Sequence, residues 1–474
     1  MSRTVILGAG FAGQYAALVL QHALKGKGDH QIMVINPYPK FTYIPSLIWV
    51  ATNQIPVEKT QIDLAPVYRR LGIDFIQGTA TEIHPDDNYV MVRSSEGPEE
   101  RVDYDYLINA TGPQLNFDAT PGLGPDKGYT HSICSPPHAQ ATAQRYRELV
   151  ERLETGDKAR IVVGTGHGDC TCQGAGFEYI SLLHNDLVDR GLRDQVELRW
   201  VSNEPCPGDF GIDGFEVRRG SMMFTSEDMA RAVFRDYDIG WDTRTAVHAV
   251  EPDRMHIENA EGEYRELPFD FAMLIPPFKG KPIRYVGRDG RDPGGELTNK
   301  AGFLKVDAGY GKCYEEITAD DWPHTYQNQT YPNLFAAGIA FAPPGCMSKP
   351  CASPNGTSIS PSIPRTGYTS ELTGKAAALN VAELIQGREP CHSASLAETA
   401  GMCIASMKNS WTRGTAAVIG IHPIVRNNGL YPGHGRNLDN SAVEMGLAGA
   451  WLKKGLHYAF LYKLGAKPLW RHIP

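Results

Sequence analysis

The chain has 474 residues, and its 54 acidic side chains outnumber the 46 basic ones to leave a net charge of −8. That length predicts two or three domains at ~100–200 residues each, and the acidic balance offers no footprint for nucleic acid, which needs a basic surface. Nine cysteines are too few for a disulfide-built scaffold of this size and are expected to be separate thiols with one or two functional bridges.

The apolar run Thr4-Val-Ile-Leu7 predicts a buried parallel strand that starts almost at once, leaving no room ahead of it for a cleavable secretory leader. It is followed by Gly8-Ala-Gly10-Phe-Ala-Gly13, a helix over Gln14 to Leu24, and a second strand, Gln31 to Ile35. Strand, glycine turn, helix and strand in that order make a dinucleotide fingerprint. At the end of the second strand, where a carboxylate usually meets a ribose, stands Asn36, which can hydrogen-bond but carries no charge.

Two later segments favour FAD over NAD at this first turn. Tyr104 to Pro113, with Thr111 and Gly112, reads as the strand and turn by which two-dinucleotide flavoproteins return to the FAD domain, and Asn333 to Gly338 reads as their later strand. The alternative is a NAD-only Rossmann domain. Between them lies a second, altered turn, Ile161-Val-Val-Gly-Thr-Gly-His-Gly-Asp-Cys-Thr-Cys172. Gly164 and Gly166 are kept, but Asp169 takes the third glycine position, where a carboxylate repels pyrophosphate and disfavours NAD(P)H. Cys170 and Cys172 fall at the expected helix start, whose positive end lowers a thiol pKa and makes it nucleophilic. The bland reading is a pair of small buried thiols on a decayed fingerprint.

The fold class expected is α/β, with two Rossmann-like domains of the FAD-dependent disulfide reductase type and a C-terminal membrane-associating region. The boundaries expected are 1–118 for the first part of the FAD domain, 119–285 for the second Rossmann-like domain, 286–385 for the second part of the FAD domain, and 386–474 for the C-terminal region. Gly309 to Gln329, acidic and aromatic with Cys313, and Pro343 to Pro361, rich in Pro, Ser and Gly, read as surface insertions. From Ser441 to Leu464, Val443, Leu447, Trp451, Leu456, Phe460 and Leu464 recur at rough helical spacing, among Lys453, Lys454, Lys463, Lys467 and Arg471. No stretch reaches the ~20 apolar residues of a membrane span. The segment reads as an interfacial helix whose lysines meet anionic headgroups; the alternatives are a core-docked helix or a contact between copies in a homo-oligomer.

The cysteine contexts resemble those of the sulfide:quinone oxidoreductases, membrane-bound flavoproteins of the disulfide reductase superfamily, across nearly the whole chain. The matching segments are His131-Ser-Ile-Cys134-Ser-Pro-Pro-His138, Cys172-Gln-Gly-Ala-Gly-Phe-Glu178, Phe335-Ala-Ala-Gly338, Pro364-Arg365-Thr-Gly, and Met402-Cys403-Ile404. Aligned on Phe177-Glu178-Tyr179, the family position falls on Cys172, leaving Cys170 extra and expected to be inert; Cys346 and Cys351 also lack a counterpart and read as a loop bridge or free surface thiols.

The resemblance implies FAD, a Cys172–Cys403 redox disulfide opened by sulfide, two electrons passed through the flavin to membrane quinone, and sulfane sulfur or polysulfide as product. It implies an accessory role for Cys134, acid–base help from Glu178 and His138, and a flavin contact from Arg365 where lysine is usual. Met402, Ile404 and Phe460 are the expected quinone walls, and no metal site is expected. Where some relatives have histidine, this chain has Asp209, so no imidazole role is carried over. Location is expected to be peripheral on the inner (cytoplasmic) membrane, its face open. The alternatives are a flavocytochrome c type sulfide dehydrogenase, a type II NADH:quinone oxidoreductase, and a flavin-bearing persulfide carrier or redox sensor.

Overall fold

The computed structural model describes residues 2–94, 97–426 and 429–473. The first sheet begins with β1 (Ser2–Leu7), β2 (His30–Asn36), β3 (Asp74–His84), β4 (Tyr89–Ser94), β5 (Glu99–Asp103) and β6 (Tyr106–Asn109). Leu7 is fully sealed and Val5 and Ile6 are inaccessible to solvent, as a strand covered on both faces requires. Between β1 and β2 runs α1 (Phe11–Leu24), which takes in Gly13 and so starts a few residues earlier than its apolar pattern predicts. A Cβ on Gly13 would stand 1.9 Å from the Gly8 carbonyl oxygen. Only glycine lets helix and strand approach so closely.

After α2 (Pro136–Glu154), a second, parallel sheet is built from β7 (Ala159–Thr165), β8 (Val196–Val201), β11 (Ile239–Asp242) and β12 (Phe271–Ile275), ordered β11-β8-β7-β12. The hairpin β9 (Glu216–Arg219) and β10 (Met222–Thr225) projects from it. The helix α3 (Gln173–Arg190) follows β7, as in a βαβ unit. The chain then returns to the first sheet with β13 (Leu334–Ala336), giving the order β13-β6-β1-β2-β3-β4-β5. β13, β6, β1, β2 and β3 are parallel neighbours, and β4 and β5 turn antiparallel at the edge. The long helix α4 (Gly367–Ile385), capped by the Thr366 hydroxyl, packs along α1.

A third sheet closes the chain: β14 (Gly401–Lys408), β15 (Thr415–Ile421) and β16 (Ala442–Gly446) form an antiparallel meander, and α5 (Leu447–Leu464) lies against it. The tail is therefore docked rather than free. Val443, expected on the tail helix, belongs to β16. Lys453 and Lys463, expected at lipid headgroups, point inward and are only 7% and 3% accessible.

The 343–361 segment also departs from expectation. Instead of lying on the surface it runs over the second glycine turn. The Ser360 and Ser362 amides donate to the Gly168 and Cys170 carbonyls at 2.8 and 2.9 Å, and Ser348 and Ile359 are sealed from solvent. Glu258, itself inaccessible, holds the segment by accepting from the Ser353 and Thr357 hydroxyls and the Asn355 amide. A Cβ on Gly168 would fall 1.7 Å from the Ser358 carbonyl oxygen. Gly168→Ala is therefore expected to lift the segment off, destabilising the protein by ~1–3 kcal/mol. The checks are a lower melting temperature and new proteolytic cuts within 343–361 while flavin is retained; an unchanged melt would show that the contact is not made.

Candidate active site

The first glycine turn is shaped to receive a dinucleotide. No side chain caps α1 at Gly10, and space is open where a Gly10 Cβ would stand, so the first helix amides are left for a phosphate. Asn36 is committed to the turn itself: its Oδ1 accepts from the Ala9 amide at 2.9 Å and its Nδ2 donates to the Tyr38 carbonyl at 2.7 Å. It thus braces the loop, where its sequence position suggested a ribose contact. Thr111, with its hydroxyl on Asn109, and Gly112 follow β6. Gly338, whose amide donates to the Thr373 hydroxyl at 2.8 Å, follows β13. Gly338 and Arg365 share a small recess with Phe341, Ile363 and Pro364. The Arg365 guanidinium lies over the rings of Phe303 and Phe341, 5.1 Å from each, and donates to the Phe341 carbonyl at 3.2 Å.

Cys172 is the residue from which α3 starts, and it does so in the left-handed conformation, φ 65°, which costs a non-glycine residue of order 1–3 kcal/mol. Neighbouring Thr171 fixes it by donating to the Ile363 carbonyl at 2.6 Å. The Arg365 amide and guanidinium both face the Cys172 sulfur. Cys403 comes from β14, and Cys134 from the turn entering α2. Cys172 is the electrostatic neighbour of both other thiols, so residues 134, 172 and 403 meet in one place. Cys403 is exposed.

All three are free thiols, and burial pushes each up: Cys134 to about 12, Cys403 to about 11, and Cys172 upward against the pull of Arg365 and Thr171. The helix start does not yield the lowered Cys172 pKa expected from sequence, because desolvation outweighs the nearby amides. Cys170 is sealed in the core with its Sγ donating to the Ile275 carbonyl at 3.0 Å. Cys346 and Cys351 are unbridged and half-buried.

Glu178, one turn and a half into α3, is buried in an ion pair. Lys453 of α5 lies 3.0 Å from its Oε1, the Ser406 amide of β14 donates to the same oxygen at 2.7 Å, and Lys453 also donates to the Ile404 carbonyl at 2.7 Å. Burial raises the Glu178 pKa, countered by Lys453. Cys403 lies beside both charges. The sequence reading missed Lys453, although Lys453, His457, Phe460 and Leu464 form one stripe at helical spacing. His138, on the first turn of α2, faces Asp126 at 3.8 Å and the Phe117 edge rather than a thiol, and burial lowers its pKa.

The expected quinone walls separate. Met402 is 42% accessible, but Ile404 is sealed with Ala416 and Ala450 and is not offered to a ligand. Phe460 packs on Phe11 and Tyr43, with centroids 6.0 and 5.5 Å away. His457 joins them, its Nδ1 2.8 Å from the Ser46 hydroxyl and its ring 5.5 Å from Tyr43. Tyr43 and His457 were not legible as site residues.

At the altered second turn the Asp169 carboxylate accepts from the Ser358 hydroxyl at 2.6 Å. The chain's own backbone thus covers the altered turn. Asp209 accepts from the Ser348 hydroxyl at 2.6 Å, and is a further clasp on the same segment.

Residues 2–172 match the pyridine nucleotide-disulphide oxidoreductase family. The sulfide-quinone reductase of Aquifex aeolicus is 28% identical over 401 residues, covering 85% of this chain and 80% of that protein. The crystal structure of the Aquifex aeolicus sulfide:quinone oxidoreductase superposes with a TM-score of 0.77 at 26% identity, covering 98% of this chain and 92% of the other. In sequence and in fold this chain is similar to the sulfide:quinone oxidoreductases. The mitochondrial sulfide:quinone oxidoreductase of Dictyostelium discoideum is also similar, 25% identical over 71% of this chain and 65% of that protein. The chain is an FAD-dependent enzyme, and the first turn, tightly packed at Gly8 and Gly13 and open at Gly10, suits that cofactor.

The sealed second turn of this oxidoreductase has a pH signature. Burial, reinforced by Asp209, raises Glu204 at the end of β8 to about 8. Because the unfolded chain releases that proton near the ordinary value of ~4.3, the folded state holds more protons between the two values, and stability falls as pH rises through that window. Glu204→Gln is expected to flatten this loss in melting temperature between about pH 5 and about pH 8; an unaltered slope would show that Glu204 is ionised in the fold.

Proposed function

We propose that sulfide reaches the exposed Cys403 and opens a disulfide formed between Cys172 and Cys403. One sulfur takes the incoming sulfur as a persulfide while the other leaves as a thiolate, so a thiol–disulfide exchange carries the first step. The observation that supports this is the convergence of Cys134, Cys172 and Cys403 from three separate parts of the chain. FAD, when bound, accepts two electrons from this thiol chemistry and hands them on to quinone.

The protein's own groups do the rest. The Arg365 guanidinium and amide offset the charge of a Cys172 thiolate that burial would otherwise disfavour. Cys134 is the thiol to which growing sulfane sulfur passes before release as polysulfide. Glu178, with Lys453 across from it, exchanges protons beside Cys403. His138, on the first turn of α2, is turned toward Asp126 and not toward the sulfur.

Membrane quinone is the electron acceptor, reached through Met402 and the aromatic group of Phe11, Tyr43 and Phe460. Among the described residues no helix is long and apolar enough to cross a membrane. The outer face of α5 supports attachment at the lipid surface: Trp451, Leu452, Tyr458 and Tyr462 are 50, 41, 62 and 37% accessible, an apolar stripe at interfacial spacing. Met222, Met223 and Phe224 are exposed on the β9–β10 hairpin, which Arg219 ties to β16 through the Val443 carbonyl at 2.5 Å.

In an anaerobic titration, Cys172→Ser and Cys403→Ser are each expected to keep FAD but abolish its bleaching by sulfide; near-normal bleaching in either variant would overturn the pairing. Replacing Trp451, Leu452 and Tyr458 together with serine is expected to move the protein from sedimented anionic vesicles to the supernatant while flavin reduction by sulfide persists. Unchanged sedimentation would place the anchor elsewhere. Surface replacement is preferable to deleting the tail, which would remove Lys453 from Glu178.

A further inference from the structure

The segment that leaves α4 and leads to β14 carries a group of ligand-type side chains with no part in the chemistry above. Glu383 on the last turn of α4, Cys391 and His392 bring a carboxylate oxygen, a thiol sulfur and an imidazole nitrogen within 4.8 Å of one another. His392 Nε2 and Glu383 Oε1 are 3.3 Å apart. Zinc–ligand bonds of ~2.0–2.3 Å in a tetrahedron put neighbouring ligand atoms ~3.3–3.8 Å apart, so small side-chain rotations close this group on one ion.

The backbone beneath is already fixed. Asn380, sealed in the core one turn before Glu383, accepts from the amides of both Cys391 and His392 at 3.0 and 2.8 Å, and its Nδ2 donates to the His392 carbonyl at 2.8 Å. Arg388 bonds the Oε2 of Glu383, leaving Oε1 turned to the imidazole. A guanidinium on the outer carboxylate oxygen is the kind of neighbour that orients a metal ligand. Cys391 is exposed, so the fourth position opens to water.

We propose that Glu383, Cys391 and His392 bind one divalent transition-metal ion of the zinc class. Thiolate, imidazole and one carboxylate select such an ion over calcium or magnesium, which take oxygen ligands. Binding exchanges the Cys391 thiol proton for the metal and involves no electron transfer. The ion staples the start of the linker from the FAD-domain helix to the strand bearing Cys403. That linker is next held at Ala394, whose amide donates to the His324 carbonyl at 3.1 Å and whose carbonyl accepts from the Tyr326 hydroxyl at 2.9 Å.

The test uses the full-length FAD-loaded enzyme, stripped with chelator, incubated with Zn2+ and desalted before elemental analysis. One Zn2+ per chain is expected in the parent. Cys391→Ser and His392→Ala should each bind at least about tenfold more weakly, with FAD content and sulfide-driven quinone reduction near those of the parent. With Co2+ as probe, a sulfur-to-metal charge-transfer band is expected in the parent and absent in Cys391→Ser. Because the other free thiols, Cys172 and Cys403 among them, remain in that variant, a band that persists unchanged would assign the metal to another thiol and overturn the proposal. So would a parent that retains no Zn2+, or equal retention by all three proteins.

Discussion

The two halves of the sulfur site are held together by one buried carboxylate. Glu178 belongs to the helix that starts at Cys172, accepts the Ser406 amide from the strand that bears Cys403, and faces Lys453 from the tail helix. Lys453 in turn donates to the Ile404 carbonyl next to Cys403. Three segments far apart in sequence thus share one hydrogen-bonded charge pair. A buried pair of this kind adds little net stability over an apolar substitute, but removing one partner leaves a bare charge and costs ~3–5 kcal/mol. Its value here is geometric. It ties the helix that starts at Cys172, the strand that bears Cys403 and the docked tail helix to one another.

A second constraint acts from the opposite side of Cys172. The altered glycine turn is filled by the 343–361 segment, whose backbone pairs with Gly168 and Cys170 and whose Ser358 hydroxyl bonds Asp169. The same strand of chain continues to Ile363, which accepts from Thr171, and to Arg365, which faces the Cys172 sulfur. Cover over the altered turn and support of the thiol therefore come from one stretch of chain. The carboxylate that repels a pyrophosphate is also the anchor for the backbone that replaces it.

What was legible in the sequence was local. The first glycine turn, the FAD strands and the contexts of Cys134, Cys172 and Cys403 are each written within a few consecutive residues. The failures are long-range. The Pro- and Ser-rich composition of 343–361 suggested a surface loop, since nothing nearby announces that Glu258 and Gly168 await it. The helix-start argument for an acidic Cys172 weighed the amides but not the desolvation, which depends on everything packed around the sulfur. Asn36 was read as a ligand group because the hydrogen bond it accepts from the Ala9 amide joins residues 27 apart in the chain. Tyr43 and His457 were hidden because the aromatic group they join is assembled from both ends of the chain.

The tail helix shows most plainly how a pattern can be correct and its direction reversed. Apolar and basic residues do alternate along it at helical spacing, but Lys453, His457 and Lys463 face inward while Trp451, Leu452, Tyr458 and Tyr462 face out. Each inward charge has its partner: Glu178 for Lys453, and Glu371, at 2.8 Å, for Lys463. A helix in water would gain by turning over, since burying ammonium groups and exposing aromatic rings both cost free energy. The orientation holds because the inner groups are paired within the fold. The outer rings that remain are the face to which the proposed lipid attachment of α5 is assigned, and a lipid phase is where a quinone is dissolved.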